Sequence, residues 1–358
     1  MNYRSVADLN RIIVSNLYRI PDDVDLIVGV PRSGMLAASL VALHSNRSLT
    51  NLQGYIEGKI LRPGMQRAGI GREANDLSNV RRALVIDDSV LSGAEMERTR
   101  GEVEAAGLMD STDFATVFCL PGMEDTVDLA FELCATPRVF EWNLLHGHML
   151  PQCCVDIDGV LCVDPTEEQN DDGPRYRDFL RTATPLWRPS STISMLVTSR
   201  LEKYRDLTEE WLAANGVEYD QLIMMQYNTM EERKAAKAYG SFKADVYAKS
   251  DNIFFIESND WTASEIARLS GKPALCTETQ TVYDPYGLPY LKQNVKGVVQ
   301  ESQSLTKRII RKFGRSIRAV CQPGPDQGLS QTSARDGLPN KTGAEAGEPS
   351  SIVSQRPG

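Results

Sequence analysis

The stretch Leu84-Val85-Ile86-Asp87-Asp88-Ser89-Val90-Leu91-Ser92-Gly93 decides how the first half of the chain folds. Its continuous apolar start, residues 83–86, reads as a strand buried on both faces, the mark of a parallel sheet. Two adjacent carboxylates follow, then a turn of small residues, then a helix over residues 94–106. Parallel sheets collect their sites at the carboxyl ends of strands, so the acids stand where a ligand is expected. Backbone N–H groups of a turn at a helix N-terminus can cradle a phosphate. Two strand-end carboxylates can accept from the two hydroxyls of a ribose. Ser92 adds a hydroxyl, and Gly93 lets the backbone approach closely.

Working outward, residues 3–17 show helical spacing, with Val6, Leu9, Ile12, Ile13 and Leu17 on one face. Residues 25–30 read as a buried strand and 35–44 as a helix. Between them lies Val28-Gly29-Val30-Pro31-Arg32-Ser33-Gly34, a second strand–turn–helix passage with a cation in the turn. Residues 54–77 are polar and contain Gly, Lys59, Arg62, Arg67 and Arg72, and read as a long mobile loop. Residues 114–120 form a third strand.

The Asp87–Gly93 segment resembles the PRPP signature of type I phosphoribosyltransferases: apolar strand, two acids, and a short loop ending in Thr-Gly, here Ser92-Gly93. The resemblance covers about residues 1–145 and implies an α/β fold of that type. It implies that Asp87 and Asp88 hold the ribose hydroxyls and that Ser89, Val90, Leu91, Ser92 and Gly93 hold the 5′-phosphate. It further implies that the loop with Arg32, Ser33 and Gly34 takes the pyrophosphate, and that residues 54–77 close over the site. No motif names the acceptor. Phe140, Trp142, His146 and His148 near the junction could stack on an acceptor or simply pack between the halves. The two histidines alternate, but a metal pair would lack a third ligand.

After Pro151 the alternation restarts, with strands expected at 153–157, 193–197, 222–225, 253–256 and 273–276. Helices at 202–215, 241–248 and 263–269 lie between them. The first of these strands runs into Asp156-Ile157-Asp158-Gly159. Alternation aims both carboxylates to one side, where one can act as nucleophile and the other can move a proton. This resembles motif I of the haloacid dehalogenase-like (HAD) phosphatases, and further stretches resemble the other motifs in order. Thr198, after the second strand, would bind the phosphoryl group. Lys243 is the motif III lysine, with Lys234 the alternative. Glu257-Ser258-Asn259-Asp260 resembles motif IV, with Glu-Ser where two acids are commoner. The resemblance implies a Mg2+ ion held by Asp156, Asp158, Glu257 and Asp260. Only about 35 residues separate the first two motifs, too few for a full cap domain.

The expected fold class is therefore α/β: two Rossmann-like parallel-sheet domains, a type I phosphoribosyltransferase fold followed by a HAD-like fold, and a disordered C-terminal tail. The divisions are 1–148, 149–300, a basic amphipathic helix at 301–321, and the tail at 322–358. The tail holds six Gly and five Pro with almost no large apolar residue. Lys307, Arg308, Arg311 and Lys312 sit on the helix at 305–320, which could lie on an anionic membrane surface or dock a partner.

Formal charge is −9 over 358 residues, yet residues 303–358 hold nine Lys and Arg against four Asp and Glu. The acidic remainder argues against a specific nucleic-acid partner. Seven scattered cysteines without a CxxC pair read as reduced thiols of a cytoplasmic protein. The expected partners are PRPP, a small-molecule acceptor and a phosphomonoester, with a homodimer an analogy from the family. Two functions fit. One is a phosphoribosyltransferase joined to a Mg-dependent phosphatase that removes the product's 5′-phosphate. The other is a PRPP-sensing domain that controls the phosphatase without transfer.

Overall fold

The computed structural model describes residues 1–61 and 77–286, all within one compact unit, Met1–Gly297. The basic loop residues 62–76, the amphipathic helix and the tail expected from the sequence lie outside the described residues.

Strand β1 (Asn2–Arg4) opens the chain, where a helix was expected to start. Helix α1 (Val6–Asn16) begins only after Ser5, whose side chain accepts from Asp8 N while Asp8 accepts from Ser5 N. This reciprocal cap fixes the boundary. Then follow β2 (Val24–Gly29), α2 (Gly34–Ser45), β3 (Ser48–Asn51), α3 (Leu52–Ile56), β4 (Arg82–Val90), α4 (Ala94–Ala105), β5 (Thr112–Cys119), β6 (Leu129–Leu133) and β7 (Arg138–Phe140). The sheet order is β3-β2-β4-β5-β6, with every pair parallel. Every residue of β2 is buried, because helices cover both faces. The chain leaves β2 toward β3 and returns on the other side at β4. The carboxyl ends of β2 and β4 therefore flank the switch point, where such sheets bind ligands.

The second half repeats the plan with β8 (Cys153–Val155), α5 (Pro174–Thr182), β9 (Ile193–Leu201), α6 (Arg205–Ala214), β10 (Tyr219–Met225), α7 (Met230–Ala236), α8 (Tyr239–Lys249), β11 (Phe254–Glu257), α9 (Asp260–Ser270), β12 (Ala274–Cys276) and β13 (Thr281–Tyr283). Its order is β10-β9-β8-β11-β12-β13, parallel except for the last strand. Its switch point lies between β8 and β11, which deliver Asp156 and Glu257.

The halves share core. Tyr3, Val139, Leu144, Leu145 and Leu150 belong to the same buried cluster as Val155, Leu196 and Phe254. Strand β1 pairs in parallel with β7, which ties the N-terminus to the junction. The six described cysteines are buried and free, as expected. Among the described residues no helix is long and apolar enough to cross a membrane.

Candidate functional site

Two clusters of polar side chains stand at the two switch points. In the first, β4 runs four residues farther than its apolar pattern indicates: Asp87, Ser89 and Val90 still pair with β5. The turn is thereby narrowed to Leu91-Ser92-Gly93. Val90 packs its side chain into the core with Leu26 and Val28, and its carbonyl accepts from Arg138 Nη2 at 2.8 Å. Of the five residues expected to hold the 5′-phosphate, Val90 is thus part of the scaffold. Ser92 Oγ accepts from Ala94 N at 3.4 Å at the start of α4.

Asp87 and Asp88 are both buried. Asp87 Oδ1 accepts from Asp88 N at 2.8 Å, and Asp88 Oδ2 accepts from Trp142 Nε1 at 2.7 Å. Burial, then the neighbouring Asp88, push the Asp87 carboxyl up to about 8, well above the usual carboxylate range. Helix α2 starts against this pair. A Cβ on Gly34 would lie 2.8 Å from Asp87 Oδ1 and 3.0 Å from the Ile86 carbonyl, so only glycine fits. Arg32 and Ser89 line one cavity of about 270 Å3 with Arg138, Asn143, His146 and His148. Trp142 instead stacks on Phe140, centroids 5.0 Å apart, and Phe140 stacks on Phe118. The two histidines share the cavity wall, but no group of three or more His, Cys, Asp or Glu among the described residues is placed to hold a metal. Lys59, at the near end of the expected closing loop, pairs with Glu57 at 2.5 Å on the surface.

The second cluster is tighter. Lys243 Nζ, on α8, donates to Asp156 Oδ2 and to Glu257 Oε2, both at 2.6 Å, and all three residues are buried. Lys234, on the neighbouring α7, has no part in this trio. Burial pushes the Asp156 carboxyl up, and the Lys243 ammonium pulls it only part of the way back. Burial would lower Lys243, but its two carboxylates more than offset that and hold it charged. Glu257 Oε1 accepts from Ser258 N and Asn259 N, which fixes its orientation.

Asp158 belongs to a different pair. Arg200, fully buried, donates to it from Nη2 at 2.7 Å and from Nε at 3.1 Å. Gly159 has φ +74°, and a Cβ there would meet Ser258 Oγ at 2.3 Å, so the turn after Asp158 and the turn after Glu257 touch through a glycine. A cavity of about 370 Å3 is lined by Asp156, Asp158, Asp164, Ser199, Arg233, Lys243 and Glu257, among others.

Two expected site residues are placed elsewhere. Asp260 is the first residue of α9, where the chain has already turned away from β11. Its carboxylate accepts from Tyr283 OH at 2.7 Å and Thr279 Oγ1 at 2.8 Å, outside the cavity. Thr198 is fully buried, and its hydroxyl accepts from Arg200 N at 3.2 Å. Ser199, the next residue, lines the cavity instead. The sequence reading missed Arg200, Arg233 and Asp164. Arg200 directly follows the expected motif II hydroxyls, which was the available signal, whereas Arg233 stands in no motif.

Four carboxylates line the cavity, oxygen donors of the kind a hard divalent cation prefers, but among the described residues no group of three or more His, Cys, Asp or Glu is placed to hold a metal ion. Burial raises Asp164, with Asp158 and Glu257 adding to the rise, a sign of crowded negative charge. Lys243 Nζ stands between Asp156 and Glu257, two of the four residues expected to hold Mg2+.

No family model and no curated protein matches this chain. Among solved structures, the chain is similar to a purine phosphoribosyltransferase from Pyrococcus horikoshii Ot3, at 18% identity over 39% of this chain and 92% of that one, with a TM-score of 0.28. It is also similar to the Helicobacter pylori xanthine-guanine-hypoxanthine phosphoribosyltransferase, at 16% identity over 40% and 92%, with a TM-score of 0.29. A chain of the Pnkp1/Rnl/Hen1 complex covers more of it, 70% against 94% of its own length, at 18% identity and a TM-score of 0.25.

Proposed function

We propose that the chain acts on phosphoribosyl compounds at two sites: the first transfers a 5-phosphoribosyl group from PRPP to a small-molecule acceptor, the second hydrolyses a phosphomonoester. The buried Asp87–Asp88 pair at the switch point carries the first half of this reading. A sheet loses stability by burying two adjacent acids, so their placement fits a ligand that hydrogen-bonds them. In the transfer, the acceptor's nucleophilic atom bonds to C1 as the C1–oxygen bond to pyrophosphate breaks. Arg32 would neutralise the departing charge, and the Leu91–Gly93 turn would hold the 5′-phosphate.

At the second site Asp156 would attack phosphorus, breaking the bond to the leaving oxygen, and water would then release inorganic phosphate. Mg2+, when bound, would supply charge to the phosphoryl oxygens. Asp158 would give and take the proton. Both of its oxygens are engaged by Arg200, so one must be freed first. Glu257 alone stands where the commoner motif has two acids, so this site has one carboxylate fewer there.

The shared core between the halves is compatible with coupling, in which the transfer product loses its 5′-phosphate at the second site. It equally suits a PRPP-sensing first half that controls the second. Incubation of the purified chain with PRPP, Mg2+ and a panel of acceptors separates these readings. Pyrophosphate followed by inorganic phosphate supports coupling. Pyrophosphate alone rejects coupling, and PRPP binding without pyrophosphate release favours the sensor.

A further inference from the structure

Only two buried side-chain polar atoms among the described residues lack a hydrogen-bond partner: Thr99 Oγ1 and Arg233 Nε. Thr99 is a buried residue of α4 and lines neither cavity. Arg233 lines the cavity that holds Asp156. It is 8% exposed, and among the described residues its side chain's only hydrogen bond runs from Nη1 to the Ser199 carbonyl at 2.8 Å. Its guanidinium lies 5.6 Å from the Tyr239 ring centroid. No carboxylate pairs with it among the described residues. The start of its helix is pinned, since Met230 N donates to Asp172 Oδ2 at 3.0 Å and Asp172 is itself held by Lys203 and Tyr204.

A buried cation with an unused donor and no counter-ion is costly, and such groups persist where a ligand completes them. The neighbouring cations are spent: Lys243 serves Asp156 and Glu257, and Arg200 serves Asp158. An incoming phosphate would meet carboxylates on most sides. Arg233 is the one cation lining the cavity, among the described residues, that no carboxylate neutralises.

We propose that Arg233 is the anchor for the phosphoryl oxygens of a phosphomonoester, donating from its uncommitted N–H groups to two oxygens. This rests on reading the cavity as the hydrolytic site. The ligand class is a phosphate monoester or free phosphate, held by charge and by the planar donor geometry that only arginine has.

The test uses the full chain with Mg2+, inorganic phosphate as the probe, and calorimetric titration of wild type, Arg233→Gln and Arg233→Lys. Turnover of para-nitrophenyl phosphate is followed in parallel. The expected result is that Arg233→Gln weakens phosphate roughly tenfold or more, with Arg233→Lys between the two, as for a lost charge-assisted pair. Without phosphate, Arg233→Gln should melt no lower than wild type, because an unsatisfied buried donor is gone. Equal phosphate affinity in all three proteins, or none in wild type, overturns the assignment. If Arg233→Gln does not fold, Arg233→Lys decides, and an unchanged affinity there overturns it. Arg233-dependent phosphate binding without any turnover leaves the anchor standing and removes the hydrolase reading. Turnover with Arg233-independent binding does the reverse.

Discussion

The indole nitrogen of Trp142 donates to Asp88 Oδ2 at 2.7 Å, joining the segment between the two sheets to the acid pair of the first site. A ribose diol binding to that pair competes for the same oxygen. Trp142 fluorescence should therefore change on PRPP addition, and the change should vanish in Trp142→Phe, which keeps the stacking on Phe140. Titration of the two proteins with PRPP and Mg2+ checks this. A signal that survives in Trp142→Phe would assign it to another of the four tryptophans.

Asp87 gives a pH-dependent stability with an inverted sign. Its folded value, about 8, lies above its ordinary 3.8, so the folded chain binds this proton more tightly than the unfolded chain. The contribution is full below 3.8 and is lost as pH rises through about 8. Asp87→Asn should match wild type in stability near pH 4 and exceed it near pH 8, by up to a few kcal/mol on the scale of about 1.4 kcal/mol per unit. The same variant should lose PRPP binding. Urea denaturation at the two pH values is the measurement, and a variant less stable than wild type at pH 8 would contradict the account.

Lys243 pairs with two buried carboxylates at once. Lys243→Met should cost about 3–5 kcal/mol at neutral pH, the cost of leaving buried charge unpaired. Adding Glu257→Gln to it should recover part of that loss, since one charge then disappears. Chemical denaturation of the single and double variants reads both values.

Asp260 and Glu257 separate by function. Because Asp260 bonds Tyr283 and Thr279 rather than facing the cavity, Asp260→Asn should leave phosphate release unchanged. Glu257→Gln should abolish most of it. Equal losses would show that Asp260 reaches the site during turnover.

Much of this was legible in the chain because parallel strands are continuous apolar runs. Leu84–Ile86 and Phe254–Ile256 announce buried strands, and the acids that follow them mark the switch points. What was hidden has physical reasons. Strand β3, Ser48–Asn51, is a polar edge strand whose place depends on β2. Strand β1 pairs only with β7, whose residues lie 136 positions further along the chain. The extension of β4 through Val90 comes from pairing with β5, not from hydrophobicity. Asp260 looked like a ligand because it stands in the same motif-like stretch as Glu257, with only two residues between them, but the chain turns into a helix there. Helix α5 carried its signal, Gly173-Pro174, in the open: proline at the first helical position. Arg233 had none, because its meaning lies in burial without a partner.

The central claim is that two separate sites act on one phosphoribosyl skeleton. The most direct measurement follows pyrophosphate and inorganic phosphate together, from PRPP and an accepted acceptor, in wild type, Asp87→Asn and Asp156→Asn. The account predicts that Asp87→Asn abolishes both products, while Asp156→Asn releases pyrophosphate normally and no inorganic phosphate. Undiminished phosphate release by Asp156→Asn, or pyrophosphate release by Asp87→Asn at the wild-type rate, would contradict it.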